Sequence, residues 1–315
     1  MVHGVQQGQA IDRQRLAAWC VRELGAEPIR VEFEAAHLTS VIGLELADGR
    51  RVVVKVRSPS ERLTACCLVQ RSLWSQGFPC PELLVAPTSL DGNAVTAEVF
   101  IDGGEPLPST GRAPELFADA LARLVRLTPP ADSLPTLWPP PAWVWWDHAE
   151  DGAWPPPDDL DCDLNAVAEP GWLTDIAQRA RRRLLACAEH PVVGHADWYS
   201  ENLRWVGERL HVVYDWDSVA ALPEAALAGA AAAIFTSTVQ PGGEATVDQS
   251  GQFLTAYANA RGKPWTASEY EVCWAAGLWT RAFDAKKEAV TQGGGPLGER
   301  LRLEAPERLR RSGVT

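Results

Sequence analysis

Residues 192 to 219 read VVGHADWYSENLRWVGERLHVVYDWDSV, and the rest of the chain is organised around them. His195-x-Asp197-x-x-x-x-Asn202 is followed, thirteen residues after Asn202, by Asp215 at the end of an apolar run. Leu203-Arg204-Trp205-Val206 and Leu210-His211-Val212-Val213-Tyr214 are rich in β-branched and aromatic residues, and Gly207-Glu208-Arg209 supplies a turn between them. The spacing predicts a hairpin that brings Asn202, before its first strand, and Asp215, after its second, out at the same end.

A carboxylate and an amide oxygen at one end of a hairpin are hard ligands suited to Mg²⁺, which completes its shell from waters and phosphate. Transfer of a phosphoryl group asks a protein mainly for positioning and charge neutralisation: an Asp near the attacking hydroxyl, and an Asn and an Asp on the metal. A lone H-x-D is more often a capped turn with a buried histidine. Four matched positions in a strand-turn-strand context favour chemistry instead.

At these residues the chain resembles the aminoglycoside phosphotransferase and choline kinase group of small-molecule kinases, relatives of the protein kinases. The resemblance implies that Asp197 orients or deprotonates the substrate hydroxyl, that Asn202 and Asp215 hold the metal, and that His195 braces the loop. The group usually has Gly between the His and the first Asp, where this chain has Ala196. Asp217, two residues past Asp215, is a further candidate for the metal or substrate site.

Upstream, Ile29 to Ala35, Ser40 to Leu46 and Arg51 to Val56 read as strands, with Asp48-Gly49 turning between the second and third. Lys55 lies inside the third strand among apolar neighbours. A buried lysine is costly unless its charge is used, so a phosphate partner is expected, the alternative being an edge-strand lysine that blocks aggregation. The loop ahead of the second strand has no G-x-G-x-x-G. Thr39 and Ser40, through hydroxyls or backbone N–H groups, are the candidates for touching phosphate there.

Residues 60 to 76 form a helix candidate that ends in Gly77-Phe78-Pro79-Cys80-Pro81. The resemblance implies a Glu on this helix paired to the strand lysine. Counting back from Gly77 puts Cys66 or a neighbour at that position, and Glu61 is the substitute the sequence offers. Residues 94 to 101 read as another strand, closed by Asp102-Gly103-Gly104. By resemblance, backbone groups near Glu98 and Phe100 meet the adenine edge, and residues 98–104 link an N-terminal nucleotide-binding lobe (1–100) to a C-terminal helical lobe (101–315).

Helices are expected over 11–25, 114–127, 171–188, 225–235, 251–261, 267–290 and 299–311, with Pro241-Gly242-Gly243 and Gly293-Gly294-Gly295 as breaks. Between 128 and 160 lies a stretch heavy in Pro and Trp, in which Trp143, Trp145, Trp146 and Trp154 stand near Asp147, Glu150, Asp151, Asp158 and Asp159. It reads either as a substrate wall, with tryptophans stacking on a sugar or a cation, or as a lid packed on the helices. Trp146, Asp147 and Trp198 are taken as substrate contacts.

At 315 residues the chain has room for two cores, and 46% hydrophobic with 22% charged residues is ordinary for a folded protein. A net charge of −12 argues against a nucleic-acid partner, since phosphate neutralisation needs clustered cations. Seven cysteines form no C-x-x-C, the first residues carry no apolar leader, and no run approaches the roughly 20 apolar residues of a membrane span. A reduced cytoplasmic protein without a membrane partner is expected, its oligomeric state open.

The expectation is therefore an α+β, two-lobed protein-kinase-like fold that uses ATP or GTP and Mg²⁺ to phosphorylate a hydroxyl of a small, cationic or sugar-like molecule. A nucleotide-binding pseudokinase, suggested by the missing helix Glu and the unusual loop ahead of the second strand, is the alternative. A carbohydrate-active hydrolase using Trp stacking and paired carboxylates comes third.

Overall fold

The computed structural model describes residues 12–36, 38–109, 111–168, 170–238 and 243–314. The first eleven residues, His37 of the loop expected to cover phosphate and the expected break at Pro241-Gly242 lie outside them.

The chain opens with α1 (Arg13–Leu24), capped by Asp12, whose side chain accepts from the Gln14 and Arg15 N–H groups, and ended by Gly25 in the left-handed region at φ 77°. Five antiparallel strands follow: β1 (Pro28–Ala36), β2 (Ser40–Leu46), β3 (Arg51–Arg57), β4 (Leu83–Leu90) and β5 (Asn93–Val99), in the order β1-β2-β3-β5-β4. Leu16, Trp19 and Cys20 of α1 pack with Ile42, Val52, Val54 and Val95 into one core. The Trp19 indole N–H donates to Thr88 Oγ1 at 2.8 Å, tying α1 to β4.

The strand β4 was not expected from sequence, because Pro87 interrupts its pattern; Asp91 and Gly92, both at positive φ, close its hairpin with β5.

Between β3 and β4 runs α2 (Arg62–Ser75). Its buried face, Ala65, Cys66, Val69 and Leu73, joins the helical core and not the core under the sheet. That helical core is built by α3 (Ala113–Leu127), α4 (Gly171–Leu185), α5 (Glu224–Ile234), α6 (Val247–Ala260), α7 (Ala267–Gln292) and α8 (Pro296–Arg311). The alanine-rich α5 is buried along its whole length except Glu224, as its lack of an amphipathic pattern requires.

The helices α5 and α7 cross at two glycines. A Cβ on Gly229 would stand 1.9 Å from the Cys273 carbonyl oxygen, and one on Gly277 would stand 2.8 Å from the Gly229 carbonyl. The crossing therefore exists only while both positions lack side chains.

Two small ladders complete the molecule. β6 (Pro191–His195) pairs antiparallel with β9 (Val219–Pro223), and inside the segment they bracket lies the expected hairpin, β7 (Leu203–Val206) and β8 (Arg209–Val213), turning at Gly207. The result is an α+β fold with an antiparallel-sheet N-terminal region and a helical C-terminal region. Among the described residues no helix is long and apolar enough to cross a membrane.

Gly229→Ala should force the two helices apart and lower unfolding stability by about 3 kcal/mol. The midpoint of chemical denaturation reads this directly, and an unchanged midpoint would show that the crossing has slack.

Candidate active site

The ladder between β6 and β9 sets His195 opposite Val219, and the Ala196 N–H donates to the Ser218 carbonyl at 2.9 Å. The segments carrying Asp197 and Asp215 to Ser218 are thereby laid side by side. Asn202 closes a 3-10 turn (Ser200–Asn202), and its carbonyl accepts from the Tyr214 N–H at 2.8 Å, which pins the foot of the hairpin to the residue before Asp215.

His195 has no exposed surface, and its Nε2 lies 2.9 Å from the Tyr214 carbonyl oxygen. Both Trp198 and Trp216 meet its ring edge-on, with centroids 5.8 and 5.7 Å away. Burial pushes the imidazole below its usual range, so the ring is neutral and Nε2 carries the proton it donates to Tyr214. His195 thus buttresses the backbone ahead of Asp215 and does not reach the cleft.

Asp215 stands in the left-handed region at φ 58°, ψ 56°, a conformation that few non-glycine residues adopt. The Ser218 hydroxyl donates to its Oδ2 at 2.9 Å, and the Ser218 N–H donates to its carbonyl. The backbone turn aims the carboxylate out of the hairpin into the cleft.

The Asn202 amide donates from Nδ2 to both the Asp197 carbonyl and Asp197 Oδ2, each at 2.9 Å. Its Oδ1, a hard donor, has no hydrogen bond among the described residues. Burial, and then the neighbouring Asp215, push the Asp197 carboxyl up to about 8. Asp217 is also raised, first by burial, although Arg57 and Lys55 pull it down; it forms an ion pair with Arg57 from β3. Carboxylates crowded this way call for a cation, and Asn202 with Asp215 offers the oxygen set a divalent ion would take. Among the described residues no cluster of three His, Cys, Asp or Glu ligands occurs, so such an ion would draw most of its shell from water or ligand.

Two cavities adjoin this turn. The smaller, about 420 Å³, is lined by Phe33, Val53, Lys55, Glu98, Phe100 and Tyr214 among others. The larger, about 700 Å³, is lined by Asp197, Asp217, Arg62, Trp143, Phe283 and Asp284 among others. Asp215 and Val41 line both, so the cavities meet at the Asp215 carboxylate.

Lys55 is only 8% exposed. Burial would lower its ammonium, but the carboxylates of Glu98, Asp217 and Asp215 outweigh that and raise it. Its direct partner is the Glu98 side chain, with Nζ 3.2 Å from Oε1.

Several expectations need correction. Glu61 is exposed ahead of α2 and is not the partner of Lys55. Trp198 is fully buried and donates its indole N–H to the Phe117 carbonyl at 3.1 Å, so it is core and not a substrate contact. Trp146 is likewise buried in the helical core, and Asp147 beside it is exposed outside both cavities.

Other expectations fall closer. The Trp- and Pro-rich stretch does reach the cleft, through Pro141, Trp143, Asp158 and Asp159. Thr39 lines the larger cavity, whereas Ser40 is buried at the start of β2 and lines neither. Glu98 and Phe100 both line the smaller one, but the Phe100 N–H is already given to the Arg51 carbonyl at 3.1 Å.

Sequence reasoning missed Asp284 and Lys287, one helical turn apart on α7, far along the chain from the hairpin; an acid inside an otherwise apolar helical run was the available signal. The Lys287 Nζ lies 3.0 Å from Asp159 Oδ2 and 3.7 Å from Asp284 Oδ1. Arg57, whose buried Nε has no hydrogen-bond partner, and Arg62, which donates to the carbonyls of Leu137, Pro139 and Val219, were missed as well.

The sequence model of the phosphotransferase enzyme family (APH) matches residues 37–262. No curated protein matches the chain. Among solved structures, amicoumacin kinase hAmiN in complex with AMP-PNP, Ca²⁺ and Ami is similar over 97% of this chain and 94% of its own, with TM-score 0.60 at 11% identity. Spectinomycin phosphotransferase APH(9)-Ia in complex with ADP and spectinomycin covers 97% and 94%, with TM-score 0.58 at 12% identity. An aminoglycoside phosphotransferase from Alicyclobacillus acidocaldarius subsp. acidocaldarius DSM 446 covers 98% and 96%, with TM-score 0.54 at 12% identity. At such identities these likenesses speak to the fold alone. The family match covers more than half of the chain, and the chain belongs to the phosphotransferase enzyme family, the small-molecule kinases.

Proposed function

We propose that the protein transfers the γ-phosphoryl group of ATP or GTP to a hydroxyl of an amine-bearing small molecule, with the nucleotide in the smaller cavity and the acceptor in the larger. The observation that carries this reading is the junction of the two cavities at Asp215. A phosphate entering from one side and a hydroxyl from the other would meet beside that carboxylate and Asp197. The division into lobes belongs to the same proposal, with residues 98–104 as the linker and the cleft between 1–100 and 101–315.

Asn202 Oδ1 and Asp215 would hold Mg²⁺, which neutralises phosphate charge when bound. Lys55 contacts phosphate oxygens from the sheet side. Asp197, held in orientation by the Asn202 amide, accepts the proton of the acceptor hydroxyl as its oxygen bonds to phosphorus and the bond to the bridging oxygen breaks. His195 keeps the metal carboxylate in its left-handed turn and takes no proton. The Glu98 partner of Lys55 supplies a carboxylate where the helix has none, which favours the kinase reading over the pseudokinase one.

The lining of the larger cavity supports an amine-bearing acceptor. Six carboxylates line it, those of Asp158, Asp159, Asp197, Asp215, Asp217 and Asp284, against the cations of Arg62 and Lys287. Trp143 and Phe283 add aromatic surface suited to stacking on a cation or a sugar ring. Phosphate transfer from γ-labelled ATP to a panel of hydroxylated compounds tests this. Amino sugars and amino alcohols should accept label, and their neutral analogues should accept at least about tenfold less; equal labelling of both sets would overturn the amine assignment.

Asp197→Asn should cut turnover by about a hundredfold or more while leaving the nucleotide dissociation constant within about threefold, as expected when an interaction acts in the transition state alone. The same substitution should stabilise the metal-free protein. The Asp197 carboxyl is raised from 3.8 to about 8, so the fold holds a proton that the unfolded chain releases, and stability falls as pH climbs between those values. Melting in EDTA should therefore show an advantage for Asp197→Asn that grows from pH 5 to pH 8. An advantage independent of pH would contradict the buried-carboxyl account.

A further inference from the structure

We infer that Glu98 of β5, steered by Gln70 of α2, is the residue that positions Lys55, taking over the task of a helix carboxylate that this chain lacks. The inference rests on the proposed reading of Lys55 as the lysine that meets nucleotide phosphate. The helix α2 runs RLTACCLVQRSLWS and contains no acidic residue, so neither Cys66 nor a neighbour can supply the carboxylate that the resemblance implies there. The Cys66 Sγ faces the carbonyls of Asp217 and Val219 at 3.8 and 3.9 Å, so that turn of the helix rests on the metal-side loop.

The sheet supplies the carboxylate instead. In the register of β3 against β5, Lys55 pairs with Thr96 and Val53 pairs with Glu98. Residues two apart on a strand share a face, so Lys55 and Glu98 are diagonal neighbours on one side of the sheet. The 3.2 Å contact between Nζ and Oε1 is nearly closed to water, with the two side chains 10% and 6% exposed. An ammonium so enclosed requires a carboxylate or a phosphate beside it.

The second carboxylate oxygen is also held. Gln70 Nε2 donates to Glu98 Oε2 at 2.9 Å and to the Pro81 carbonyl at 3.1 Å. Both partners are acceptors, which fixes the amide with its nitrogen toward Glu98. Glu98 can therefore neither swing away from Lys55 nor turn its oxygens, and the lysine is placed by the hydrogen-bonded strands themselves. Because Glu98 acts through Lys55, it is a positioning residue.

The test uses the full-length protein, calorimetric titration of Mg·ATP, and the rate at which an amine-acylating reagent labels Lys55 at pH 8, read by peptide mass spectrometry. Glu98→Gln should weaken Mg·ATP about tenfold. It should also speed Lys55 labelling about fivefold or more, because an ammonium without its carboxylate gives up its proton more readily. Gln70→Leu should move both readouts in the same direction by less, and it carries the test if Glu98→Gln does not fold. Wild-type affinity and labelling in both variants would overturn the inference. So would weakened affinity with unchanged labelling, which would assign Glu98 a purely structural role. Lys55→Ala separates the layers: if it binds Mg·ATP like the wild type, the reading of Lys55 itself fails. If Lys55→Ala loses affinity and Glu98→Gln does not, only the role of Glu98 fails.

Discussion

The short antiparallel ladder between β6 and β9 is the constraint on which the cleft depends. Its five residue pairs join the two ends of a segment that would otherwise be a long loop, and the next hydrogen bond, from Ala196 to Ser218, continues the alignment to the edge of the chemistry. Within that frame the β7–β8 hairpin has one way to lie, with Asn202 against Tyr214. Asp197, Asn202 and Asp215 arrive together because three sets of backbone hydrogen bonds leave them no alternative. Gly104, at φ 76° and with no room for a Cβ against Arg204 and His211, lets the segment after β5 pack on the same hairpin. Glu105 and Trp205 then exchange backbone bonds at 2.9 and 2.8 Å.

What the frame gathers is electrostatically unfavourable on its own. Asp197 and Asp217 are both raised by burial, with Asp215 adding to each, and only Asp217 is offset by cations, its ion-pair partner Arg57 and the more distant Lys55. A polyanionic nucleotide with a divalent ion would resolve these groups: the ion for the carboxylates, the phosphates for the lysine. Strain and like charge concentrated at one turn, in a protein otherwise built from ordinary caps and ladders, is the pattern expected where function and stability compete.

Much of this was legible in the sequence, and the exceptions share a cause. The hairpin could be read because β-branched residues flank a glycine turn, and most helices because their apolar residues recur at helical spacing. The strands β6 and β9 were hidden by their brevity and by Gly194 and Pro223, and β4 by Pro87. Tryptophans were misjudged where only packing decides: Trp198 stands next to Asp197 in sequence and Trp146 lies in the Trp- and Pro-rich stretch, yet both side chains turn into the helical core. Glu98 was singled out for the backbone groups around it, not as the side-chain partner of Lys55. Strand register made that pair, and register is a property of two segments that neither displays alone. Asp284 and Lys287 were missed because α7 lies about seventy residues beyond the hairpin, and only the folded chain shows which face of a buried helix opens into the cleft.

The central claim is that Asp215 is the point where nucleotide, metal and acceptor meet. Its most direct test is calorimetric titration of ATP and GTP into the protein with and without Mg²⁺, repeated on Asp215→Ala. The account predicts binding of at least one nucleotide that tightens at least tenfold with Mg²⁺ in the wild type, and loss of that metal dependence in Asp215→Ala. Equal Mg²⁺ dependence in the two proteins, or no binding of either nucleotide under any condition, would contradict it.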